Sequence, residues 1–144
     1  MEKCHYESTP MEQGTKDWLV PNENQANIES IRLFQRIMGS INCLSCLTRM
    51  NITFAYSALI RYLHNPSPAH LKARKRILRY LAGTRYLAIK FSKDANDRHK
   101  LHGYSDANLA NFDLEGYKSH SGWLFYLSGG IISASSKLQS TVAL

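Results

Sequence analysis

The sequence predicts an α+β fold, a small three-helix bundle followed by an incomplete antiparallel sheet. Three observations carry that reading. Apolar residues recur every three or four positions from Ile31 to Leu81, the period drops to two beyond Gly83, and Ser128-Gly129-Gly130 separates two apolar runs as a hairpin turn would. The chain accordingly divides into a polar arm (1–27), a helical bundle (28–84) and a sheet (85–144).

The arm carries Pro10, Gly14 and Pro21, has no sustained period, and reads as a linker with little structure of its own. Ile31, Phe34, Ile37, Met38, Ile41 and Leu44 then mark one face of a helix over 29–47. Asn51 is placed to cap a second helix whose stripe is Ile52, Tyr56, Leu59, Ile60 and Leu63, and the Asn65-Pro66 step stops it. Ser67 caps the third, Pro68 fits its first turn, and Gly83 suits a left-handed stop, so the helix covers 68–82. Stepping 100° per residue places Leu71, Ala73, Ile77, Leu78, Tyr80 and Leu81 on one half of it and Lys72, Lys75, Arg76 and Arg79 on the other. Arg74 breaks the division.

Beyond Gly83, alternation predicts strands over 86–91 and 101–107, with a polar turn between them. In the second strand His102, Tyr104 and Asp106 share one face, opposite Leu101, Gly103 and Ser105. A loop over 108–121 leads to a hairpin of strands 122–127 and 131–135. A sheet that stops without a covering layer looks unfinished.

The 144 residues have room for one ordinary domain or two very small ones, and 44% apolar with 20% charged residues describes a globular chain rather than a disordered one. The net charge of +7 is unevenly placed, since between Ser30 and Lys93 twelve Lys and Arg meet no Asp or Glu. A block of one sign favours a polyanion, with nucleic acid ahead of a membrane surface. Three cysteines make no disulfide framework, the N-terminus lacks the apolar core of a leader, and no apolar run has the character of a membrane span. An intracellular location, cytoplasmic or nuclear, is expected, which makes the Asn51-Ile52-Thr53 sequon a chance match.

Cys43, Cys46, His64 and His70 include zinc-ligand types, but both cysteines fall within a helix and lack a knuckle turn, so small buried thiols are the expectation. Ser105 alternates away from His102 and Asp106, so no catalytic triad follows. Asp106 ends a strand beside a basic domain, where two-metal phosphodiester chemistry would use a carboxylate. That chemistry needs several, and downstream only Asp113 and Glu115 are acidic. The helix pair also admits a helix-turn-helix reading, although the NPSP turn is unlike that motif. Phosphate contact by Lys72, Lys75, Arg76 and Arg79 requires no groove reading.

From about Ser8 to Leu144 the chain carries, in order, STPMEQGTK, FQRIMGSINCLSCLTRMNITFAYSALIRYLHNPSPAHLKARKRILRYLAGT, LHGYSDANLANFDLEGYKSHSGWLFYLSGG and SSKLQSTVAL. This run resembles the Pol polyprotein of Ty1/copia-type LTR retrotransposons. The resemblance implies that residues 29–83 are the thumb and connection of a reverse transcriptase and that residues 101–144 begin a ribonuclease H domain. It places Asp106, in YSDAN where the family usually has YSDAD, at the first ribonuclease H carboxylate, a Mg2+ ligand in the parent family. The remaining acidic ligands would lie beyond Leu144, and the polymerase's paired aspartates belong to a palm upstream. Met50 and Asn51 replace the Pro and Asp of the family's TRPDI, and Leu109 replaces a Trp, as in a decayed copy.

The expectation is therefore a truncated fragment of a copia-type polyprotein, without catalysis or a bound cofactor of its own. Its partners would be RNA, DNA or an RNA–DNA hybrid, held weakly and without sequence preference, and the rest of a Pol polyprotein. The rivals are a co-opted nucleic-acid-binding module and a ribonuclease H half-site completed by another chain.

Overall fold

Local capping starts the helical part. The Asn27 side chain accepts a hydrogen bond from the Glu29 N–H at 3.0 Å, satisfying one of the free donors that open a helix, and α1 runs Ile28–Leu47. Phe34, Met38, Ile41 and Ser45 form its buried face. A computed structural model describes residues 5–15, 19–93, 99–108 and 118–140 of the chain. After α1 come a 3-10 turn (Met50–Ile52), α2 (Thr53–Ile60) and α3 (Pro68–Gly83), then the strands β1 (Leu101–Ala107), β2 (His120–Leu127) and β3 (Gly130–Leu138). The α+β arrangement is the one that the sequence predicts.

The second helix departs from expectation. Asn51 lies inside the 3-10 turn and caps nothing, because its amide is used elsewhere: Nδ2 donates to the Tyr80 hydroxyl and Oδ1 accepts from Arg49 Nε at 3.3 Å. The helix also ends at Ile60, short of Leu63. It buries Ala55, Ala58 and Leu59 because it packs on α1 and α3 on one side and on β3 on another, so a single stripe understates its apolar surface.

In α3 the Ser67 Oγ accepts from the His70 N–H at 3.4 Å and His70 Nδ1 accepts from the Ser67 N–H at 2.8 Å, a capping box with histidine in place of the usual Glu or Gln. Ala73, Ile77 and Tyr80 are buried and Leu71, Leu78 and Leu81 pack against the core, as the periodicity requires. Gly83 is not the left-handed stop. It is the last helical residue, and a Cβ there would meet Tyr6 Cβ at 3.0 Å, so its smallness serves a close approach of the arm. Thr84 ends the helix, its hydroxyl donating to the Tyr80 carbonyl at 2.7 Å.

The arm is part of the core. Leu19 is 1% exposed, and Asn65 ties the segment down, its Nδ2 donating to the carbonyls of Asn22 and Asn24 at 3.1 Å and its Oδ1 accepting from the Ala26 N–H at 2.8 Å.

Residues 86–91 do not form the expected strand. Ser92 N–H donates to the Ser128 carbonyl at 2.7 Å and the Phe91 ring lies against Gly130, so this segment touches the β2–β3 turn without joining the ladder. Alternation supplied a pattern, but no ladder partner engages it. Among the described residues the sheet has the antiparallel order β1-β2-β3. Its hairpin turns on Ser128 (φ 52°) and Gly129 (φ 76°), both left-handed as a two-residue hairpin loop of matching twist demands. Gly130 already belongs to β3. A register shift between Phe125 and Tyr126 bulges β3 by one residue at Ile132.

Candidate nucleic-acid interface

The capped, core-anchored α3 presents its cations on a fixed backbone. Lys72 and Lys75 are exposed and make no ion pair among the described residues, and the Arg79 side chain is about half exposed. Arg76 is different. Its Nη1 lies 2.8 Å from Glu7 Oε2 and 2.6 Å from Glu12 Oε1, and its Nη2 donates to Thr9 Oγ1 at 3.0 Å. Glu7 Oε1 also stands 3.8 Å from Arg79 Nη1. A small cavity of about 70 Å³, lined by Met11, Thr15, Lys72, Ala73 and Arg76 among others, separates arm and helix. The four cations expected at the interface thus share one helix face, with Arg76 already held by the arm.

Arg74, the residue that broke the division of faces, is buried at 5% exposure with its Cζ 5.6 Å from the Phe34 ring centroid. Burial holds its pKa below the ordinary arginine value, and neither Nε nor Nη1 has a hydrogen-bond partner among the described residues. It is no part of the exposed cationic face. His70 is fully buried, stacked on Tyr62 at 3.9 Å between ring centroids, and burial pushes its pKa down to about 4. Burial, followed by the neighbouring Cys46, raises the pKa of Tyr56.

The other sequence candidates remain apart. Cys43 and Cys46 are exposed on α1 rather than buried, while His70 is inside the bundle, and among the described residues no three His, Cys, Asp or Glu side chains are grouped to hold a metal. Asp106 pairs with Gly122 across β1 and β2, at a cleft of about 320 Å³ between the sheet and the segment from Met50 to Phe54. Its face is turned to α2, where the Phe54 and His120 rings stand 6.1 Å apart. Asp113 and Glu115 fall outside the described residues. A pair of Mg2+ ions does not fit the acidic groups described, and among the described residues that line the cleft Asp106 is the only carboxylate. Sequence reasoning missed Glu7 and Glu12, although six acids gathered upstream of an acid-free basic block were a usable signal.

Comparison with known proteins supplies the origin of this arrangement. The chain is 44% identical over 109 residues to the retrovirus-related Pol polyprotein from transposon RE1 of Arabidopsis thaliana, and 38% identical over 122 residues to that from transposon TNT 1-94 of Nicotiana tabacum. It is also 42% identical over 107 residues to the secreted RxLR effector protein 161 of Plasmopara viticola, covering 74% of this chain and 73% of that protein. This chain belongs to the copia-type retrotransposon Pol family. The two plant matches cover 76% and 85% of this Pol sequence but only 7% and 9% of the polyproteins themselves. No protein-family model and no solved structure matches it. Among the described residues of this Pol segment, no helix is long and apolar enough to cross a membrane.

Proposed function

We propose that this copia-type Pol segment binds RNA or DNA through the phosphate backbone, using the basic face of α3, and that it performs no catalysis by itself. The observation that carries the proposal is the exposure of Lys72, Lys75 and Arg79 along one side of a capped helix, within a stretch free of acidic residues. Such contacts position a protein without reading bases, so binding is weak, salt-dependent and indifferent to sequence. Replacing Lys72, Lys75, Arg76 and Arg79 together by Gln lowers affinity for a labelled oligonucleotide and flattens the slope of log K against log salt by about four or less. Unchanged affinity and slope would remove α3 from the interface.

Resemblance supports reading the bundle as reverse transcriptase thumb and connection and the sheet as the start of a ribonuclease H domain. Two-metal hydrolysis needs carboxylates on both sides of the scissile phosphate, and Asp106 has none grouped with it among the described residues. The segment therefore leaves the RNA of an RNA–DNA hybrid intact in Mg2+ or Mn2+. Cleavage that Asp106→Asn abolishes would overturn this and favour a half-site that works with another chain.

A further inference from the structure

The arm meets α3 as a phosphate would. The Glu7 carboxylate reaches two guanidinium groups, Arg76 at 2.8 Å and Arg79 at 3.8 Å, and Glu12 adds a second anionic oxygen to Arg76 at 2.6 Å. A phosphodiester offers arginine the same chemistry, two anionic oxygens on one centre. The segment is anchored independently of these pairs, since Met11 packs on the core and Thr15 and Leu19 are 2% and 1% exposed. Glu12 is itself 55% exposed, and an ion pair so open to water is held by little free energy. Glu12 is thus readily exchanged while the chain behind it stays docked, and Glu7, whose side chain is 22% exposed, is the more firmly held of the two.

We infer that Glu7 and Glu12 are the resident occupants of a phosphate site on Arg76 and Arg79, displaced when nucleic acid binds. The inference rests on the reading of α3 as the nucleic-acid face. It has a thermodynamic consequence. An arginine held by a carboxylate neutralises no phosphate and so releases none of the cations condensed on the nucleic acid, and Arg76 contributes little to the salt dependence until the arm lets go. Two anions held against the same helix also disfavour the approach of a polyanion.

The test titrates the full chain with a fluorescent DNA oligonucleotide across a salt series, comparing Glu7→Gln/Glu12→Gln with Glu23→Gln/Glu29→Gln, which removes the same charge from exposed positions elsewhere. The arm variant binds several-fold tighter than that control and its salt slope steepens by about one, and adding Arg76→Gln reverses both changes. Glu12→Gln alone, at a half-exposed side chain, moves affinity the same way by less, which covers the case of a double variant that folds poorly. Identical behaviour of the arm and control variants, while Lys72→Gln/Lys75→Gln still weakens binding, overturns the inference and leaves the α3 interface standing. No loss of binding from Lys72→Gln/Lys75→Gln removes the interface and the inference together.

Discussion

Arg49 and Thr84 join the end of α1 to the end of α3: Arg49 Nη1 donates to the Thr84 carbonyl at 3.0 Å and Nη2 to the Thr84 hydroxyl. Arg49 is 7% exposed, and its Cζ also stands 5.6 Å from the Tyr80 ring centroid. Hydrogen bonds from a charged donor to buried acceptors stabilise more than neutral ones. Arg49→Ala should therefore lower unfolding free energy by about 2–3 kcal/mol. Thr84→Val should cost less, and a double-mutant cycle by urea denaturation should return a coupling of about 1 kcal/mol. Additive losses would mean that the two side chains stabilise the fold separately.

His70 should make stability pH-dependent. Its folded pKa, pushed down to about 4, lies below the unfolded value near 6.5, so between these the unfolded chain binds more protons. The neutral-imidazole contribution is complete above about pH 6.5 and is lost as pH falls toward 4, amounting to about 3 kcal/mol at most. His70→Gln keeps a side chain able to close the capping box and removes the titration. Denaturation midpoints measured from pH 7 to 4 should fall less steeply in the variant.

Arg74 costs the bundle stability. A buried guanidinium without hydrogen bonds at Nε and Nη1 among the described residues has lost water without full compensation there, and the Phe34 ring offsets part of that loss. Arg74→Met, similar in reach and apolar, should leave stability unchanged or raise it by about 1–3 kcal/mol. A drop of that size would point to a polar contact that the Phe34 packing does not account for.

Gly39 lies inside α1, and among the described residues nothing beyond its own helix backbone stands within 4 Å of where a Cβ would be. Gly39→Ala should raise thermal stability by about 0.5–1 kcal/mol through backbone entropy alone.

The sheet should open before the bundle. Every residue of β1 is exposed, and Trp123 and Phe125 are 40% and 41% exposed, whereas Phe34, Met38 and Ile77 are sealed in the core. Amide exchange should be fast in β1 and slow along α1 and α3. Slower exchange in β1 than in the bundle of a monomeric sample would contradict this.

The sequence by itself determined the features that depend on near neighbours. The Ser67-Pro68 start of α3, the apolar period that carries α1 through Leu47, and the Ser128-Gly129 turn are set by interactions within a few residues, so residue order is enough to specify them. Tertiary structure decided the features whose partners lie far along the chain. Asn51 could cap a helix locally, but the Tyr80 hydroxyl, 29 residues away, takes its amide instead. Residues 86–91 alternate like a strand and still stay outside the ladder, because strand formation requires a partner edge that no local pattern supplies. Arg76 looked as free as Lys75 on a helical projection until folding brought Glu12 across 64 residues to within 2.6 Å of it. A helix period assigns a side chain to a face, whereas its electrostatic partner is set by which distant segment the buried core holds against that face.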